Sequence, residues 1–184
     1  MGLNTLALGV ILLGNPFYAV TDLIAAVIIA AAARRWWDLL RDFKKVSIFS
    51  YALMATGAME IIFSFAFPSE ILIDMLTLIR YGLILPLEIY LTSGIADLAI
   101  IRENAQTYKM ANNLKRPIYV TSILTLCLVA LSSVWQWART LAFVSGISVT
   151  VVSVMLTVII YRLYKDMTNK KDEITDEDTE EKEN

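Results

Sequence analysis

The segment from Glu70 to Arg102 constrains the fold most, because it is long and apolar and yet carries charges. It reads EILIDMLTLIRYGLILPLEIYLTSGIADLAIIR, with ionisable residues at Asp74, Arg80, Glu88 and Asp97. About 20 apolar residues are enough for a helix to cross a bilayer. A charged side chain at the bilayer centre costs roughly 2.5–3.5 kcal/mol on insertion scales. We therefore interpret this segment as a membrane-spanning helix whose inner charges require partners or water.

Pro86 lies inside the same segment and predicts a kink there. Proline has no backbone N–H, and its ring clashes with the carbonyl group four residues earlier. Within a membrane the freed carbonyl group must find a hydrogen-bond donor nearby. A kink beside a buried acid is therefore expected to form a cavity or a packing corner.

The whole chain predicts an all-α, multi-pass protein of a cell membrane, since 57% of its 184 residues are hydrophobic. An apolar stub over residues 1–15 is too short to span a bilayer alone. It is expected to lie at the interface or to extend the first helix past a kink. Five transmembrane helices are predicted, at about 16–33, 46–67, 71–101, 117–135 and 140–161.

The charged segments between these helices predict the orientation in the membrane. Residues 34–45 (RRWWDLLRDFKK) contain five bases, residues 102–116 contain four, and Arg162 and Lys165 follow the last helix. Because basic segments stay in the cytoplasm, we expect the N-terminus outside and the C-terminus cytoplasmic. Residues 165–184 hold nine acids and four bases with little apolar content, which predicts an acidic, disordered tail.

Four ionisable residues within the predicted spans form the candidate ion- or substrate-binding site: Asp22, Glu60, Arg80 and Glu88. Three helices each bring one carboxylate to a similar depth, and Arg80 lies about 12 Å outward of Glu88 at 1.5 Å per residue. Such a carboxylate-lined polar site could translocate a small solute, an ion or a proton. The other interpretation is structural: Arg80 pairs with Glu60 or Glu88 between packed helices.

The alternative function is a non-catalytic membrane subunit or a sensor-like, partner-binding module of a larger complex. Small residues at Gly146, Thr150, Ser153 and Thr157 share one face of the fifth predicted span. That face suits packing within the protein, or contact with a protein partner or a second copy of the chain. The basic segment 34–45 suits anionic lipid or simply an anchor that sets topology.

Several function classes are disfavoured by composition. The chain has no histidine and a single cysteine, Cys127, so we expect no zinc, haem or iron–sulfur centre and no cofactor. A hard cation held by carboxylate oxygens stays open. We expect no enzyme activity and no catalytic residues, because a Ser-His-Asp set is impossible and nothing nearby would activate Cys127. Nucleic-acid binding has no support, since no large basic face is present.

Overall fold

The computed structural model describes residues 2–13, 19–66, 69–132 and 135–183, except the side chains of residues 70, 139 and 170–183. These residues form helices joined by short turns, and no strand occurs among them. The helices are α1 (Gly2–Leu13), α2 (Ala19–Arg34), α3 (Arg41–Ala66), α4 (Glu70–Ile101), α5 (Ala105–Ser132) and α6 (Gln136–Glu183). The all-α prediction is confirmed.

The helices pack as a closed bundle. Each helix contacts the next one along the chain, α1 contacts α6, and α4 and α6 also touch. Within the described ranges, four helices are long and apolar enough to cross a membrane: Arg41–Ala66, Ile71–Ile101, Ala105–Ser132 and Gln136–Asn169. Helix α1 is apolar but shorter, and α2 has 16 described residues. The first predicted span also includes residues 16–18, which lie outside the described chain.

The outer surface of the bundle is apolar along its length. Phe65 is 87% exposed, Ile71 72% and Val120 66%, and large apolar side chains on every helix are similarly uncovered. A soluble monomer rarely exposes this much contiguous apolar surface. Together with the four long apolar helices, this surface identifies a multi-pass membrane protein.

Helix α1 buries one face against α2 and α6, which differs from the predicted interfacial or continuing stub. A Cβ atom at Gly2 would lie 2.9 Å from Nε1 of Trp36, and one at Gly9 would lie 2.6 Å from Cγ1 of Ile29. The start of α1 therefore lies beside the end of α2, and Gly9 lies beside Ile29, so the two helices run antiparallel. Leu3, Leu6, Val10 and Leu13 are buried, because their spacing of three and four residues places them on one helix face.

The position of α1 also bears on the side of the membrane that the N-terminus faces. Gly2 lies next to Arg35 and Trp36, at the end of the bundle that carries the basic segment. The prediction of an external N-terminus assumes that the chain crosses the membrane once before the basic segment. In the structure, two antiparallel helices, α1 and α2, precede that segment. If basic segments are cytoplasmic, this arrangement places the start of α1 on the cytoplasmic side.

Helix α5 begins twelve residues earlier than predicted, at Ala105 rather than Pro117. The backbone N–H of Thr107 donates to Oδ1 of Asn104 at 2.8 Å, so Asn104 caps the helix. Pro117 lies inside α5, where it leaves the carbonyl group of Asn113 without its helical donor. Asn113 is exposed near the polar end of the helix, where water can satisfy that carbonyl group.

Helix α6 continues to Glu183, and the disorder expected for residues 165–184 stays a prediction. Leu163 is fully buried beyond the predicted end of the last span at residue 161. The Asn104 side chain donates to the Asp166 carboxylate, so α6 is held against the turn between α4 and α5. Lysine and glutamate, which are frequent after residue 165, are good helix formers.

Candidate functional site

Helix α4 carries the two central ionisable residues of the bundle. It packs against α3, α5 and α6, and its Arg80 and Glu88 are only 4% and 1% exposed. Asp74 and Asp97, nearer its two ends, are exposed, as expected for acids that reach water. Helix α4 is continuous through Pro86, and the kink expected at that residue stays a prediction.

Three of the four predicted site residues meet in one buried group, which we call the charged cluster: Asp22, Glu60 and Arg80. Nη1 of Arg80 donates to Oδ2 of Asp22. Nε of Arg80 lies 3.1 Å from Oε2 of Glu60, and Thr77 Oγ1 donates to the other Glu60 oxygen at 3.2 Å. Helices α2, α3 and α4 are therefore linked through one guanidinium group.

The charged cluster does not use all of its hydrogen-bonding capacity. Asp22 Oδ1 is buried without a hydrogen-bond partner among the described residues. The Nε–Oε2 contact between Arg80 and Glu60 is an ion pair by distance, yet its angle does not fit a hydrogen bond. The contact still stabilises both groups, because opposite charges at 3.1 Å attract in any orientation. Asp22 Oδ1 can thus accept a hydrogen bond from a further donor.

The cluster lies nearer one end of the bundle than its middle. Asp22 belongs to the first turn of α2, and Glu60 lies within two turns of the end of α3. Asp22, Glu60 and Arg80 therefore share one level. Glu88 lies about 12 Å farther along α4, eight residues beyond Arg80. The predicted common depth of the three carboxylates is thus corrected: two share a level with Arg80, and Glu88 is separate.

Glu88 has its own polar surroundings, which we call the Glu88 site: Glu88, Ser122 and Ser153. Ser122 Oγ on α5 lies 3.2 Å from Oε2 of Glu88, and Ser153 Oγ on α6 lies 3.1 Å from Oε1. Both serines are buried. Across the described part of the chain, no lysine or arginine lies within ion-pair distance of Glu88.

Among the side chains that the structure describes, the interior therefore contains more acid than base. The charged cluster has two carboxyl groups for one guanidinium group, and the Glu88 site adds a third carboxyl group with no basic partner. An uncompensated ionised group in an apolar interior is costly, so such groups pair or become neutral. Each of the two sites consequently has the capacity to take up one positive charge.

The sequence predicted one of the contacts made by these four residues. The pairing of Arg80 with Glu60 is confirmed, whereas the contact of Arg80 with Asp22 was not predicted. Thr77, Ser122 and Ser153 were not recognised as partners of the acids. Ser153 belongs to the small-residue face of the fifth predicted span. Its hydroxyl group among apolar neighbours was the one feature of the sequence that could have indicated a partner for a buried acid.

The small-residue face of α6 is turned into the protein. Gly146 and Ser153 are buried, and Thr150 and Thr157 are half-buried. Neighbouring helices thus cover much of this face, and its use by a protein partner or a second copy stays a prediction. Packing within the protein was the other predicted use of this face.

In the ranges that the structure describes, no three histidine, cysteine or acidic side chains are close enough to hold a metal ion. Cys127 is exposed on α5 as a free thiol. Searches of family models, curated proteins and solved structures found no match to this chain.

Proposed function

We propose that this membrane protein translocates a small cation or a proton through the carboxylate-lined interior of its helical bundle. The observation that supports the proposal is the charge imbalance among the described side chains: three acids, Asp22, Glu60 and Glu88, are buried, and Arg80 is the one buried base. Ionisable residues inside membrane helices are costly and commonly mark ion pathways. A surplus of buried acid favours a cargo of positive charge.

The charged cluster offers a mechanism in which cargo competes with Arg80. A cation or proton that binds Asp22 or Glu60 would weaken the contact of that carboxylate with the guanidinium group. Because the three residues belong to α2, α3 and α4, a changed pairing would alter how these helices are held together. Translocation would then follow the exchange of partners at Arg80, with Glu88 deeper along the same helix.

The experiment is a flux measurement on the full chain reconstituted in liposomes. A pH gradient or a gradient of Na⁺ or K⁺ is imposed, and uptake is followed with ion-sensitive dyes inside the vesicles. Wild-type protein is compared with D22N, E60Q, R80Q and E88Q. We expect flux in the wild type and at least a tenfold loss in D22N, E60Q or E88Q, because each removes a carboxylate from the interior.

Asp74→Asn and Asp97→Asn are the matched controls, since each neutralises an exposed acid. Both acids lie on α4, the helix that carries Arg80 and Glu88. Both variants should retain wild-type flux. Size-exclusion profiles and helical content identify variants that fail to fold. Unchanged flux in a variant that combines all four interior substitutions would reject the proposal.

The alternative of a non-catalytic subunit or sensor-like module needs a surface that a partner could bind. Much of the small-residue face is covered within the protein, which leaves chiefly the basic segment 34–45 and the acidic tail for that role. Neither segment has a described contact that indicates a partner. We therefore place translocation first, and we propose no enzymatic reaction for either function.

A further inference from the structure

The Glu88 site differs from the charged cluster because its carboxyl group is contacted only by neutral groups. Each carboxyl oxygen lies at hydrogen-bond distance from one serine hydroxyl, from Ser122 on α5 and Ser153 on α6. The Glu88 side chain is 1% exposed. Helices α4, α5 and α6 thus meet at one carboxyl group. No charged group among the described residues contacts it directly.

Among the described residues of α4 and of the helices that pack against it, no base forms an ion pair with Glu88. On α4 itself Arg80 is held by Asp22 and Glu60. On α3 Lys45 pairs with Asp42 at 3.1 Å, and its ammonium group also lies 4.3 Å from the ring centroid of Tyr90, two residues after Glu88. On α5 and α6 the nearest charges along the chain are Arg116 and Arg162, about 9 Å or more along the axis from Ser122 and Ser153.

The two serines can accommodate a neutral carboxylic acid without a change in heavy-atom positions. A serine hydroxyl donates one hydrogen bond, accepts others and rotates freely. One serine can therefore donate to the carbonyl oxygen of the acid, while the other accepts the acid's O–H. The distances of 3.1 and 3.2 Å suit this arrangement. An ionised carboxylate would also accept both hydroxyls, but its charge would stay uncompensated.

A metal ion fits this site less well than a proton. Hard cations such as Ca²⁺ take about six to eight oxygen ligands at roughly 2.3–2.6 Å. The Glu88 site offers two carboxyl oxygens and two hydroxyls, and each carboxyl oxygen already has a hydroxyl beside it. A proton needs only one oxygen to bind and one to accept its hydrogen bond.

We propose that Glu88, with Ser122 and Ser153, forms a reversible binding site for a single proton. This inference rests on the proposed function and names the proton as the translocated ion. Binding converts the carboxylate and one hydronium ion into a carboxylic acid and water, and release is the reverse. No other bond changes. Arg80 takes no part in this step, because its guanidinium group is held by the charged cluster.

The test is infrared spectroscopy of the full chain in liposomes, which detects the carbonyl stretch of a protonated carboxylic acid. Spectra of wild type and Glu88→Gln are compared across a pH titration. We expect a carbonyl band in the wild type that disappears at high pH and is lost in Glu88→Gln at every pH. Ser122→Ala and Ser153→Ala keep the acid, and either should shift the band to higher wavenumber or move its titration midpoint, because a hydrogen bond is lost.

Asp74→Asn and Asp97→Asn serve as controls that should leave this band unchanged. The proposal would be overturned if the spectrum of Glu88→Gln kept every carbonyl band of the wild type. A band that disappears on adding NaCl at constant pH would also overturn it, since that result would indicate a metal cation. The wild-type titration and the serine variants decide the question even if Glu88→Gln does not fold.

The proton site and translocation can fail separately. A Glu88 band in protein that shows no flux would retain the site and reject the proposed function. Flux that persists in protein without the band would retain translocation and reject Glu88 as its proton-binding group.

Discussion

Arg80 illustrates how a single residue can link a membrane bundle. Its side chain is 4% exposed, and it contacts Asp22 on α2 and Glu60 on α3. Replacing a whole buried ion pair with well-packed neutral groups is often neutral for stability, whereas removing one partner leaves an uncompensated charge. The stability of this protein should therefore depend on the balance within the cluster more than on Arg80 itself.

A residue-scale prediction follows for Arg80→Gln. This substitution leaves Asp22 and Glu60 without their cation, and we expect the free energy of unfolding to fall by about 3–5 kcal/mol. The triple variant D22N/E60Q/R80Q removes the charges together and should recover most of that loss. Unfolding in detergent, followed by loss of helical content, measures both. Equal destabilisation of the single and triple variants would show that charge balance is not what Arg80 provides.

At the scale of helices, close approach depends on small residues where two helix backbones meet. Gly9 lets α1 pack tightly on α2, since a Cβ atom there would lie 3.3 Å from the carbonyl oxygen of Ala25 as well as against Ile29. Gly94 has a similar role toward the ring of Phe43, at 3.2 Å. In contrast, a Cβ atom at Gly82 would meet nothing within 4 Å.

One substitution at two positions tests this difference. Glycine costs about 1 kcal/mol relative to alanine in a helix, so Gly82→Ala should raise the free energy of unfolding by up to that amount. Gly9→Ala gains the same propensity but forces Ile29 to move, and overpacking typically costs about 1–3 kcal/mol. We expect Gly9→Ala to be the less stable variant in the same unfolding assay. If both variants gained stability equally, the tight α1–α2 contact would be refuted.

At the scale of the whole molecule, the closed bundle relates the two ends of the chain. Helix α1 lies antiparallel to α2, and the basic segment follows α2 directly. The start of α1 and residues 34–45 therefore share one end of the bundle, while Ser69 between α3 and α4 lies at the other end. Counting hydrophobic runs in the sequence alone predicts an N-terminus on the side of the membrane opposite to the basic segment.

Cysteine accessibility tests this topology. In a Cys127→Ser background, single cysteines replace Asn4, Lys44 and Ser69, which are all exposed. We expect a membrane-impermeant maleimide applied to intact cells to label Ser69→Cys only. Asn4→Cys and Lys44→Cys should react only after the membrane is opened. Labelling of Asn4→Cys together with Ser69→Cys would instead support an external N-terminus.

Much of the fold can be predicted from the sequence, because apolar length and the cost of burying charge are local properties. The runs that contain α3, α4 and the membrane part of α6 are recognisable from composition, and so is the burial of Arg80 and Glu88. The start of α5 was missed because Pro117 resembles a helix start. Its true cap, Asn104, is recognised only from the side-chain bond to Thr107.

What only the tertiary structure decided is which groups face one another. The amino-acid order determines that Asp22, Glu60, Arg80 and Glu88 lie within apolar helices. It does not determine how each helix is rotated about its axis or which neighbours it packs against. Those two variables bring Arg80 to Asp22 and Glu60, and they leave Glu88 to two serines. The separation of the charged cluster from the Glu88 site is therefore a property of helix packing.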